Sequence, residues 1–174
     1  MSLMSKRGTR GGARRPRDAR ITLLLRVYDQ AFDHKAWHGT ALWGALRGLT
    51  PGRALWRPGR RRHNIWEVVL HAAYWKYIVR RRLTRDTAAV FPRDRSNWPL
   101  LPARRDAAAW RRDVALLKEQ HGLLRAAIAR FPAARLDAKG WRSQWTNAQH
   151  VYGIASHDLY HAGQIQLLKA LSRG

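Results

Sequence analysis

The run Asn64-Ile65-Trp66-Glu67-Val68-Val69-Leu70-His71-Ala72-Ala73-Tyr74-Trp75 reads as the opening of an amphipathic helix over about residues 63–83. Its stripe passes through Val68, His71, Trp75 and Ile78, with Leu70, Tyr74 and Tyr77 alongside. Steps of three and four residues return a side chain to one face of a 3.6-residue turn. Asn64 is a candidate N-cap, with Glu67 three residues later to close a capping box.

The same period recurs on both sides of this segment. From Ala19, the residues Ile21, Leu24, Leu25, Tyr28 and Phe32 mark a first helix, with Asp18 as candidate cap. Lys35 to Gly39 interrupts it. Thr40 can cap a continuation through Leu42, Trp43, Leu46 and Leu49, which Thr50-Pro51-Gly52 ends. A third helix spans about 104–130, with Trp110, Val114, Leu117, Leu124 and Ile128 on one side, and Phe131-Pro132 stops it. Residues 133–146 are irregular and hold Trp141 and Trp145. A fourth helix spans about 147–171, with Asn147 as candidate cap and a broad face of Val151, Ile154, His157, His161, Gln164, Leu168 and Leu171. No stretch alternates with period two. An all-α four-helix bundle is the architecture that buries four such stripes. The predicted organisation is a disordered basic tail over 1–18 and one domain over 19–174. The connection from Thr84 to Pro102 is long for a plain loop and is a candidate lid.

Composition narrows the chemistry. The 174 residues include no cysteine, which removes disulfides, thiolate metal sites and a cysteine nucleophile. A bound metal would have to use nitrogen and oxygen ligands. No apolar run reaches the roughly 18 residues of a membrane span, and no signal-peptide pattern is present. The expectation is a cytoplasmic protein with no membrane partner. The net charge of +23 is extreme. Such a field attracts polyanions and anionic substrates, so nucleic acid is a rival partner. The excess is nearly all arginine and is scattered through runs such as Arg60-Arg61-Arg62 and Arg80-Arg81-Arg82. Neither a helix-turn-helix reader nor a single-strand motif accompanies it, and a solvated arginine-rich surface is the favoured account.

Three of the eight histidines stand out. His157 and His161 are spaced i, i+4 on a helix, so both imidazoles leave one face a turn apart and can share an ion. Eight histidines also make one such pair a reasonable coincidence. With His71 as a third ligand, the site would keep a coordination position open, as catalytic zinc sites do.

The ordered motifs resemble the DinB-like superfamily. The resemblance is carried by Trp56-Arg57-Pro58 with Asn64 to His71, by Ala36-Trp37-His38-Gly39, by Asn97-Trp98-Pro99, and by His157-Asp158-Leu159-Tyr160-His161-Ala162-Gly163-Gln164-Ile165. It covers about residues 20–172. It implies an up-down-down-up bundle with a divalent metal on His71, His157 and His161, and a homodimer. It also implies hydrolase or thiol-dependent transferase chemistry on a small-molecule substrate. Nitrogen ligands suit zinc, nickel, iron or copper rather than magnesium or calcium, and zinc or nickel is expected. A low-molecular-weight thiol is a candidate cosubstrate. The alternative is a basic polyanion-binding protein whose metal is structural or vestigial.

Other residues keep two readings each. Trp37, Tyr74, Trp75 and Trp98 can wall a pocket or fill a core. His38 can line the pocket or sit in a turn. Gln164 can meet substrate, or join helices. Glu67 can support a ligand imidazole or close the capping box. Asp158 expects a basic partner. His150 is expected at a pocket wall or on the surface, and His34, His63 and His121 on the surface.

Overall fold

The computed structural model describes residues 17–173. Among them are six α-helices and no strand: α1 (Ala19–Phe32), α2 (Leu42–Ala45), α3 (Pro51–Leu55), α4 (Ile65–Thr84), α5 (Ala107–Arg130) and α6 (Asn147–Leu171). None is long and apolar enough to cross a membrane. Most of the expected tail, residues 1–16, lies outside the described residues. Asp18 caps α1 by accepting from Arg20 N at 2.8 Å.

Local chemistry sets the helix ends. At α4, Asn64 Oδ1 accepts from Glu67 N at 2.9 Å and Glu67 accepts from Asn64 N at 3.0 Å, closing the capping box. Asp106 caps α5, so this helix starts three residues later than its apolar pattern suggests. Three caps differ from expectation. Thr146, rather than Asn147, caps α6, because its hydroxyl accepts from Gln149 N at 3.1 Å. Asn147 instead donates to the carbonyls of Arg135 and Ala138 and fastens the preceding loop. Thr40 caps nothing; α2 is a four-residue turn after Ala41 with no side-chain cap. Thr50-Pro51 begins α3 rather than only ending a helix, with Thr50 as cap and proline in the first turn, where its missing N–H costs nothing.

The four long helices pack in pairs: α4 against α5 and α6, and α1 against α5 and α6. One cluster of the core gathers Trp66, Leu70, Leu117 and Ile165; another gathers Tyr28, Leu25, Leu124, Ile128 and Ile154. Burying each large side chain contributes about 1.5–3 kcal/mol. Trp66 Nε1 donates to the buried Asp113 carboxylate at 2.8 Å, and Arg93 from the 85–106 connection ion-pairs with the same carboxylate. That connection is pinned further by buried Phe91 and by Tyr77 Oη donating to Ala89 O at 2.9 Å.

One expectation fails inside the core. His121 is buried, stacked on Phe32 at 3.7 Å and on Tyr28 at 4.4 Å between centroids. Its position four residues after Leu117 and three before Leu124 places it on the apolar face of α5. Asp158 has the basic partner expected of it: Lys76 on α4, with both side chains fully buried.

Candidate metal centre

His71 projects from the N-terminal half of α4, and His157 and His161 project from α6. Because α4 packs directly on α6, the three rings meet. His157 Nε2 lies 3.0 Å from His71 Nε2 and 3.0 Å from His161 Nε2. All three candidate ligand atoms lie within 4.8 Å of one another.

The opposite ring nitrogens show why the Nε2 atoms face inward. His71 Nδ1 is 2.6 Å from the carbonyl of Asn97. A carbonyl can only accept, so Nδ1 carries the proton and Nε2 presents its lone pair. His161 Nδ1 is held in the same way by Gln164 Oε1 at 2.6 Å, one helical turn away. Burial pushes His71 down to about 4, with further lowering from His161 and His63 opposed by the Asn97 bond. Burial pushes His157 down to about 3, helped by His161, His71 and Lys76, and it lowers His161 as well. All three are therefore neutral near pH 7.

His71 and His161 thus both aim an Nε2 lone pair at His157 Nε2, and His157 Nδ1 is buried with no hydrogen-bond partner, so a cation between the rings would satisfy the inward lone pairs. Two imidazoles on one ion, at bonds of about 2.0–2.1 Å and angles between 90° and 110°, have nitrogens about 2.9–3.4 Å apart. The observed 3.0 Å separations fit that range. The donor set fits a borderline divalent metal.

The site opens into a cleft of about 670 Å³ lined by the three histidines, Trp98, His63, Arg62, Tyr160, Gln164 and apolar residues of α4 and α6. Among the described residues no carboxylate lines it. Trp98 stacks on His71 at 4.0 Å and on His63 at 3.5 Å, so the Asn97-Trp98 segment both orients and covers a ligand ring. Trp75 meets His71 edge-on, lies tilted to His157 at 6.3 Å between centroids, and donates its Nε1 to Asn97 Oδ1 at 2.7 Å.

Several expected wall residues lie elsewhere. Trp37 is 99% exposed and forms no wall. His38 is exposed and flanks a separate depression with Leu159, Ala162, Gly163 and Gln166. Those four residues lie about 100–200° around α6 from His161, on another side of the helix. Tyr74 packs on Phe91 and Tyr77 rather than on the cleft. Glu67 turns back to the N-cap and grips Arg57 through two bonds of 2.6 and 2.8 Å; the acceptor for His71 is the Asn97 carbonyl instead. His63 is exposed, as expected, yet its stack on Trp98 makes it part of the cleft. Only the connection's fold over α4 reveals that contact.

Fold and site together define an all-α protein with a three-imidazole pocket between two packed helices. The pattern of the DinB superfamily matches residues 35–165, a span that includes all three histidines. The chain belongs to that superfamily. No curated protein and no solved structure matches it.

Proposed function

We propose that the protein is a metal-dependent enzyme, an up-down-down-up bundle that holds one divalent ion, zinc or nickel, on His71, His157 and His161. Its reaction is hydrolysis or group transfer on a small molecule, with a low-molecular-weight thiol as cosubstrate in the transfer case. The convergence of three Nε2 atoms on one point, with Nδ1 of both His71 and His161 already committed, carries the reading. When bound, the ion supplies Lewis acidity and, for zinc, an acidified water of pKa about 7.

The chain's own groups prepare that chemistry. The Asn97 carbonyl and Gln164 fix the tautomers of two ligands, and Trp98 shields His71 from solvent. Arg62 and His63 at the cleft make its rim attractive to anions. Among the described residues three protein ligands are offered, so an ion held by them would keep room for water or substrate.

Metal analysis of the purified full-length protein tests this reading. One first-row divalent ion per chain is expected, with occupancy falling sharply in His71→Ala, His157→Ala and His161→Ala. A panel of ester, amide and electrophilic substrates, run with and without a small thiol, then separates hydrolysis from transfer. Unchanged occupancy in all three variants after reloading would exclude this ligand set.

A further inference from the structure

A second cleft, of about 310 Å³, lies between the C-terminal half of α4 and the N-terminal half of α6. Its volume is at the small end of ligand pockets, about 300–1,000 Å³. His157 belongs to the linings of both clefts. The walls are aromatic and aliphatic: Trp75, Val79, Trp145, Tyr152 and Ile154. Trp145 and Tyr152 are 52% and 48% exposed, so two large aromatic surfaces face solvent at its mouth.

The polar lining is sparse and mostly engaged. Gln149 is spent on the N-cap, accepting from Thr146 N at 2.7 Å. His150 bonds Ser143 Oγ at 2.8 Å. Arg82 remains. Its guanidinium lies over the Trp75 ring at 5.9 Å, and no ion pair among the described residues involves it. Among the described residues no carboxylate lines the cleft. A half-buried cation on an aromatic wall, with no anion beside it, is the complement of a planar apolar acid. Guanidinium binds a carboxylate through two parallel N–H bonds.

We propose that this cleft binds an aromatic carboxylate, with its ring against Trp75, Trp145 and Tyr152 and its carboxylate on Arg82. The shared wall at His157 makes the cleft the recognition subsite for the substrate of the proposed metal centre. That role rests on the metalloenzyme reading; the binding itself does not.

Calorimetric titration of 2-naphthoate into the full-length protein at 150 mM NaCl tests the assignment, in metal-loaded and chelator-stripped forms. The neutral analogue 2-naphthalenemethanol serves as comparison. Binding of one naphthoate per chain is expected in both forms, at least tenfold weaker for the alcohol and for Arg82→Gln. Arg82→Lys should recover part of the loss, Trp145→Ala should weaken both ligands, and the exposed Arg111→Gln should change nothing. Equal affinity for acid and alcohol would overturn the proposal. So would no binding at all, or equal losses in Arg82→Gln and Arg111→Gln, which would mark diffuse attraction to a +23 chain. Naphthoate that binds only with metal present and ignores Arg82→Gln would place the carboxylate on the ion and also overturn it. Arg82-dependent binding in a protein that takes up no metal would uphold the cleft while removing the metalloenzyme reading.

Discussion

Lys76 of α4 and Asp158 of α6 form an ion pair with no solvent exposure on either side chain, one residue beyond the candidate ligand His157. Lys76 Nζ also lies 4.8 Å from the Tyr28 ring centroid and 4.9 Å from that of Phe32. Burial drives the Asp158 carboxyl up to about 6, opposed by Lys76, and drives the Lys76 ammonium down, opposed by Asp158. The pair is a buried polar link between the two helices that carry the site, beside the His71–His157 contact.

Removing one partner leaves a buried charge uncompensated. Asp158→Asn and Lys76→Met should each destabilise the protein by about 3–5 kcal/mol, while the double variant Lys76→Met with Asp158→Leu should recover most of that loss. Chemical denaturation checks the stabilities. Metal affinity measured on the folded double variant reports whether the pair also sets the spacing of the Nε2 atoms.

Gln164 should affect metal binding through His161 alone. Gln164→Leu removes the acceptor for His161 Nδ1, freeing the ring to turn and change tautomer. Loss of such a supporting bond costs about 10–100-fold in metal affinity. Competition against a chromogenic chelator reads the change. A global fold loss is not expected, since Gln164 is only half-buried.

Acid should destabilise the metal-free protein before it protonates most carboxylates. Burial holds His121 down at about 2, with help from Lys76 and Arg125, and it holds His71 and His150 down at about 4. Below about pH 6.5 the unfolded chain takes up protons that these folded histidines refuse, so stability falls with pH. His121 alone would contribute a slope of about 1.4 kcal/mol per pH unit once the unfolded imidazole is protonated. Asp158 acts in the opposite direction below about 6, and the buried histidines outnumber it. Denaturant midpoints between pH 7.5 and 4.5 measure the net slope; His121→Phe should flatten it.

Gly140 has a steric rather than conformational role. A Cβ there would lie 2.7 Å from His150 Cδ2 and 2.9 Å from Nε2. Gly140→Ala should push the imidazole off Ser143 and cost about 1–3 kcal/mol, as overpacking does. Thermal unfolding, with the His150 ring resonances as local reporter, tests it.

Local rules made much of this protein legible from its residues. The three- and four-residue periodicity placed the four long helices, because a stripe that must be buried repeats at the pitch of the backbone. Asp18 and Asn64 marked helix starts through bonds that span only two or three residues. The His157 and His161 pair was readable for the same reason, since one helix sets both positions. His121 was legible in principle, at step with Leu117 and Leu124, but polarity hid it. What the sequence left open depends on which elements touch. That His71 is oriented by the carbonyl of Asn97, that Lys76 answers Asp158, and that Trp98 covers the site while Trp37 does not, all follow from contacts 22 or more residues apart along the chain. Arg82 and Trp145 likewise meet across one cleft only because α4 packs beside α6 and the tryptophan-rich loop folds back through Asn147 and Gly140. Periodicity reports which face of a helix is apolar; the shape of the neighbouring face, built by distant residues, decides what that face meets.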